Sequence, residues 1–546
     1  MDESKPDLKL FWGCFLALIT TAFAFVSRLF LLGEWKAEFG LSDVQVGELA
    51  GMGIWPFAIS IIAFSLFIDK IGYKVAMVFS FLGYIIWSAM AVAAFFISGG
   101  GEADPDTAYK LLYWGSLILG LSNGTVEAYI NPVVATMFKS NKTTWLNILH
   151  AGWPGGLAIC GLITIGLGAL QVAWWIRIAI IIPPAIIFFI VLIGREFPAQ
   201  ERVASGVSYR EMLGEFGFIG AAIAMLLIAL QLNTTFPTEV KDGVVTSLFP
   251  GTSLPMNETI FGIAAAALAL LFGLYTRALG NKLLFFMALI MIPLATTEIG
   301  TDGWIEEIMK EIAMTNGFDA GLVLVYTSVI MMVLRFFAGP IVHAVSPIGL
   351  LIGSSVLAIV GLYWLSFASG MVIFAAAAIY AFGKTFFWPT MLGVAGEQTP
   401  KGGALTLNAL GGIGMLGVGV LGFPYIGSLQ SHNSVSAVSA DAEFAEMVPS
   451  AFDDGKLSVI EDKKLFSVLP YQKLADDQMK EAVMALPADQ QTAASERLKE
   501  VVEGSKQGAL AQMCIFPIVM LIGYIGLAFY FKGIGGYKVQ TLEDKH

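Results

Sequence analysis

The chain has 546 residues, of which 57% are hydrophobic and only 13% charged, and its mean hydropathy is +0.76. A chain so poor in charge cannot clothe its apolar side chains in a polar surface, which excludes a water-soluble protein of this size. The formal charge of −11 is concentrated in one late polar stretch and marks no nucleic-acid partner, and Cys14, Cys160 and Cys514 lie in or beside apolar runs, which excludes a disulfide framework or a thiolate metal site.

The apolar runs are continuous and about 20 residues long, the length of a membrane-crossing helix, whereas barrel strands would alternate over about 10. The opening MDESKPDLKL is too short and too mixed in charge for a transit peptide. The run Phe11–Leu32 lacks a small-residue cleavage site and reads as an uncleaved first span. Val46–Phe67, Val75–Ile97, Leu111–Phe138, Trp145–Leu167 and Val172–Ile193 complete a first set of six. After the polar linker REFPAQERVASGVSYREML come two further runs, Phe216–Leu232 and Thr259–Thr276, read as an inserted hairpin. Leu283–Ile305, Leu322–Val342, Gly349–Phe367, Met371–Val394, Leu405–Ile426 and Leu510–Phe531 form a second six, for an expected total of fourteen spans.

The expected fold is therefore all-α and polytopic. Residues 1–194 make one six-helix half, 195–282 the linker and hairpin, and 283–546 the second half. Lys70, Lys74, Lys139, Lys142, Arg195, Arg202, Arg210, Arg277, Lys282, Lys401, Lys532 and Lys538 all fall on one side, which places both termini in the cytoplasm. The acidic stretch 428–508 is then extracytoplasmic, and stretches such as ADQQTAASERLKEVVEG predict a small helical cap.

Glu127 and Asn131 lie four apart on one face of the fourth span, where an acid is costly and marks a functional site. Glu127 precedes Pro132 by five residues, as Lys384 precedes Pro389, so an acid and a base occupy equivalent depths in two related halves. Thr20 and Thr21 match Thr296 and Thr297, and Asn147 matches Asn408, in the same comparison. Lys384 is expected to pair with Glu127 or with substrate. Glu298 and Asp302, also four apart, are candidates to share one proton, and His150 is suited to proton relay. Asn131, Asn147 and Asn408 suit solute hydroxyls, and Trp153 and Trp388, with Trp304, Phe386 and Phe387, suit stacking on a ring; the same residue types also serve ordinary helix packing. Arg28 in the first span is a candidate clamp for an anion or a snorkelling side chain, and Arg335 a packing or gating residue near the cytoplasmic end of its span.

The turn Ser65-Leu-Phe-Ile-Asp69-Lys70-Ile-Gly72-Tyr73-Lys74 resembles the signature turn of the major facilitator superfamily, with Ser in place of its first Gly. The resemblance implies two pseudo-symmetric six-helix halves and a cytoplasmic gate at Asp69, Lys70, Gly72 and Lys74, with His343 standing where the second half would carry the acid. Within it, the E-x-x-x-N-P of Glu127 to Pro132 and the following NILHAGWPGG resemble the fucose permease family of sugar and proton symporters. That implies a secondary transporter, not an enzyme, which uses Glu127 for sugar binding and proton coupling. The first span departs from the family by carrying Arg28 and no acid, which admits sugar acids and other small organic anions as an alternative substrate class.

Expected substrate contacts are thus Glu127, Asn131, Asn147, Lys384, Trp388, Asn408, Trp153 and Arg28, and expected proton carriers Glu127, Glu298, Asp302 and His150. No cofactor or metal is expected, since the chain has no P-loop, no H-E-x-x-H and four histidines in all. The partners are a small solute, protons and the bilayer of a cell membrane, bacterial inner membrane by this reading, with the protein a monomer. A non-transporting membrane receptor is the remaining class.

Overall fold

The computed structural model describes residues 6–97, 104–238, 240–241, 244–248, 255–465 and 469–542. The predicted polar loop after the third span therefore falls partly outside the described residues. Among them, twelve helices are long and apolar enough to cross a membrane, or thirteen if the pair Gly321–Phe336 and Ala338–Val345, bent by 68°, is one span. The Glu127 helix, Pro105–Met137, is 33 residues long and too polar to qualify by hydropathy, because Ser116, Ser122, Asn123, Glu127 and Asn131 line its buried side. Each of the fourteen expected runs falls on a helix.

The seventh conventional span is longer than its apolar run. It continues from Lys282–Ala295 through a π-turn at Thr296–Gly300 into Thr301–Thr315, whose second half is amphipathic rather than apolar. The two halves meet where Trp55–Ile71 packs against Gly403–Gly417 and where Gly152–Ala169 packs against Gly321–Phe336. The space that these four helices frame holds the site described below.

The inserted hairpin consists of Tyr209–Thr235 and Met256–Thr276. Its first helix packs against Gly403–Gly417 and Lys282–Ala295, while the second turns Ile263, Leu270, Leu271 and Leu274 outward, as a lipid-facing helix would. Gly217 makes this possible. Its left-handed backbone, φ 57°, kinks the first helix so that Phe218 and Ile219 donate to the carbonyls of Ala278 and Leu279, both at 3.0 Å.

The cap over 428–508 is mixed rather than wholly helical. Between Phe423–Ala440 and Ala488–Ser505 it contains an antiparallel pair, Ile460–Leu465 with Leu469–Leu474. Pro470 bars a helix interior there and sits instead in the returning strand. The cap has its own core around Val438, Phe444, Val448 and Met479. Asp441 caps a short helix through Phe444 N at 2.7 Å, and its bond from Arg497, also 2.7 Å, holds its carboxyl below the usual range. Gln507 Nε2 ties the cap to the membrane bundle through the carbonyls of Leu365 and Ala368, at 2.8 and 2.7 Å.

Candidate functional site

Prolines decide which backbone groups are free in the middle of the bundle. A proline has no N–H, so the carbonyl four residues before it loses its helical donor. Pro132, Pro154 and Pro389 release in this way the carbonyls of Ala128, His150 and Thr385. All three are taken by side chains from other helices. Asn408 Nδ2 donates to Ala128 O at 2.9 Å. Arg335 donates from Nη1 to His150 O at 2.8 Å and from Nε to Thr385 O at 2.6 Å. One guanidinium thus ties together two broken spans, which interrupt at Ala151 and between Lys384 and Phe387.

The remaining arm of Arg335, Nη2, reaches Glu298 Oε1 at 2.7 Å, and Glu298 Oε2 accepts from Trp388 N at 3.3 Å. One turn further along the same helix Asp302 forms a buried ion pair with Lys384, whose ammonium lies 5.2 Å from the Tyr380 ring centre. Two expectations are corrected here. Lys384 pairs with Asp302 rather than Glu127, and Glu298 and Asp302 do not share a proton between them because each has its own cation. Repeat symmetry fixes depth along a helix but not the direction a side chain faces, and both bases face the acids of their own half. Arg335 likewise lies at the level of Glu298, well inside the bundle and not at a cytoplasmic end, because its span bends just beyond it and continues to Val345.

Glu127 has no such permanent partner. Its Oε2 accepts from Asn131 Nδ2 at 2.5 Å and lies 3.6 Å from His150 Nε2. His150 Nδ1 faces the carbonyl of Leu146 at 2.9 Å, and a carbonyl can only accept, so this nitrogen carries the hydrogen. A neutral His150 would then turn a lone pair towards an ionised Glu127. One proton between them, on either group, removes the conflict.

Glu127, His150, Glu298 and Arg335 line a closed cavity together with Phe57, Trp153, Ile299, Trp388 and Met415. Its volume is about 20 Å³, room for one or two waters, so the site is shut in this conformation. Sequence reasoning missed Phe57, Ile299 and Met415, which carry no chemical signal.

The other expected contacts stand around this cavity. Asn131 and Asn147 each keep an unbonded buried Oδ1, while Asn147 Nδ2 reaches Thr390 Oγ1 at 3.2 Å and Asn408 Nδ2 reaches Ser65 Oγ at 2.8 Å across the halves. Arg28 is elsewhere: its guanidinium serves the carbonyls of Leu49 and Ala50 at the end of Asp43–Gly51.

Residues 13–424 match the Major Facilitator Superfamily. The chain belongs to that superfamily. Solved structures agree on the fold. A variant of the E. coli fucose:proton symporter FucP aligns at 13% identity and a TM-score of 0.53, over 95% of this chain and 98% of that one. The human organic anion transporter MFSD10 (TETRAN) aligns at 12% and 0.53, over 95% and 99%. A proton:xylose symporter, XylE, bound to 6-bromo-6-deoxy-D-glucose aligns at 14% and 0.51, over 77% and 88%. No curated protein matches the chain. The chain is thus a transporter of the major facilitator fold, and such distant neighbours leave its substrate to be argued from its own residues.

The superfamily's signature turn lies on the face where both ends of the chain emerge, here called the terminal face. Asp69 forms a buried ion pair with Arg202 of the linker, and Lys70 sits 4.2 Å over the ring of Tyr209, whose hydroxyl donates to Leu66 O at 2.6 Å. Gly72 ends the helix with φ 84°, and Lys74 is exposed. A second latch, which the sequence reading missed, joins the halves directly. Glu397 Oε1 accepts from Thr143 N and Thr143 Oγ1 at 2.9 and 2.7 Å, at the start of Lys142–His150. In return Lys142 Nζ donates to Gly396 O at 3.0 Å, near the end of Phe387–Gln398, and to Glu201 at 2.7 Å. An acid at one helix start and a base at the other helix end is the favourable arrangement of both dipoles.

Gly393 sits at this crossing, where a Cβ would run into Thr143. Gly393→Val is expected to hold the terminal face apart, at an overpacking cost of about 1–3 kcal/mol. The expected result is a lower melting temperature and faster labelling of a cysteine introduced at Ala135, beside the latch.

Proposed function

We propose that this transporter takes up a neutral monosaccharide together with a proton, by alternating access of its two six-helix halves to a site at the centre of the bundle. The observation that carries the reading is the Glu127–His150 contact at 3.6 Å, a buried pair that is satisfied by one proton and not by none. Such a pair can load and release a proton as the site turns from one face to the other.

Charge accounting supports a neutral solute over the organic-anion alternative. Arg335 and Lys384 are neutralised by Glu298 and Asp302, and Arg28, which keeps Nε and Nη2 unpaired, stands away from the central cavity against the carbonyls of Leu49 and Ala50. An anion in the central cavity would have to displace a buried acid from its base, which costs several kcal/mol. Trp153 and Trp388 on the cavity wall offer flat apolar faces with polar edges, the shape that a sugar ring stacks upon.

The test is transport in proteoliposomes. Wild type is expected to accumulate a labelled aldohexose when a pH gradient is imposed. Glu127→Gln should lose that accumulation by at least about 100-fold, since it removes the titrating group, while sugar-for-sugar exchange continues. Accumulation that survives Glu127→Gln would remove Glu127 from coupling. Transport of the matching uronic acid and not the aldohexose would replace the sugar reading by the anion one.

A further inference from the structure

A larger space than the central cavity lies where the cap meets the membrane bundle. It is an open recess of about 400 Å³, within the range of small-molecule sites, against about 20 Å³ at the centre. Its floor is Trp304, two residues beyond Asp302 on the helix that also carries Glu298. At about 1.5 Å per residue, roughly 9 Å of helix separates Glu298 from Trp304. Its walls are the start of the cap, with Ser428, Gln430 and Ser431, and its far side is Tyr471 and Lys506.

Two residues that line this recess carry buried donors without a partner: Gln430, 6% exposed, at Nε2 and Trp304 at Nε1. A buried donor left unbonded is satisfied when a group that accepts from it binds beside it. The acceptors are set beside them. Ser428 Oγ and Ser431 Oγ give their hydrogens to Tyr425 O and Gly427 O, at 2.7 and 3.0 Å, so they present lone pairs. Lys506, the one cation on the wall among the described residues, is paired with Glu307. Free donors, free acceptors, two aromatic faces and no unpaired charge match a solute whose every hydroxyl both donates and accepts.

We propose that this recess is an outer binding site, built jointly by the cap and the seventh span, which holds a neutral polyhydroxylated solute of monosaccharide size before it enters the central cavity. It rests on the sugar reading for the identity of the solute and adds a second place where that solute is held. The cap is then part of the transport route, and Gln430 and Trp304 set affinity on that face.

The experiment uses the full-length protein in two settings. In nanodiscs, equilibrium binding of a panel of labelled aldohexoses and matching uronic acids is measured for wild type, Trp304→Phe, Gln430→Leu and Glu127→Ala. In proteoliposomes, KM and maximal uptake rate are measured for the same variants. Trp304→Phe removes the indole N–H and keeps a smaller aromatic ring, so it guards against a folding failure in Gln430→Leu. The expected result is a KM for aldohexose raised at least fivefold by each substitution, with the maximal rate within twofold, and aldohexose binding in Glu127→Ala that Gln430→Leu then abolishes. Unchanged KM in both variants, with uptake intact, overturns the outer site and leaves the transport reading standing. Aldohexose binding that depends on Gln430, with no uptake, keeps the outer site and overturns the transport reading. Binding confined to uronic acids, or no binding of any probe by wild type, overturns the proposed ligand class.

Discussion

Arg335→Lys is expected to abolish uptake although it preserves the charge opposite Glu298. The guanidinium meets three acceptors in fixed directions, His150 O, Thr385 O and Glu298 Oε1, at 2.8, 2.6 and 2.7 Å. A lysine ammonium is a point charge on a flexible stem and cannot span that fork. It can keep Glu298, the strongest of the three, and would leave two buried carbonyls without donors at about 1–3 kcal/mol each. The expected cost is about 2–6 kcal/mol of stability, read as a lower melting temperature in detergent, and a loss of at least about 100-fold in uptake. A second substitution separates the carbonyl role from the charge role. Pro389→Ala gives residue 389 an N–H that can return to Thr385 O, so Arg335→Lys with Pro389→Ala should regain about 1 kcal/mol without regaining transport. A single Arg335→Lys variant with wild-type melting temperature would show that the freed carbonyls do not need this side chain.

The released carbonyls also show how far the sequence could be read. Each follows from counting four back from Pro132, Pro154 and Pro389, so their existence was open to inspection. The donors were not. Asn408 and Arg335 come from helices hundreds of residues away or from the neighbouring span, and periodicity says nothing of which helices become neighbours. The same limit explains Lys384. Its depth relative to Pro389 was legible and matched that of Glu127, but its direction around the helix sends it to Asp302.

Composition and run length located the long buried helices, including Pro105–Met137, which is not among the twelve or thirteen candidate spans by hydropathy. They failed where apolarity stops being the rule. The seventh span runs to Thr315 because an amphipathic helix continues it out towards the cap. The cap's strand pair was hidden by the helical pattern of the segment that follows it. At the centre, the acids and bases announced themselves by cost, whereas Phe57 and Met415 were indistinguishable from lipid-facing neighbours until their helices were packed.

The latch on the terminal face gives the largest expected conformational effect. Glu397 is one acid with three donors: Thr143 N–H, Thr143 O–H and the hydroxyl of Tyr537, the last at 2.5 Å. Because Thr143 belongs to the first half and Glu397 and Tyr537 both to the second, the two Thr143 bonds exist only while the halves meet on this face, and the Tyr537 bond lies within the second half. Glu397→Ala leaves both Thr143 donors unpaired in the closed state and free to find water in the open one. Charge-assisted bonds contribute about 1.5–3 kcal/mol each, and even partial compensation by water leaves a shift of about 3 kcal/mol towards opening. That is a factor of about 100 in the closed-to-open ratio. The readout is the rate at which a thiol reagent labels Ala135→Cys, against a background kept low because Cys14, Cys160 and Cys514 are buried. Labelling should rise about 100-fold when Glu397→Ala is added, and should change little with Tyr537→Phe, whose bond lies inside the second half. Glu397→Gln should fall between the two, since it keeps an acceptor oxygen for Thr143 and loses the charge that favours the start of Lys142–His150. Equal labelling rates in Glu397→Ala and its parent would mean that the halves are held together on this face by the Lys142–Gly396 O bond and apolar packing.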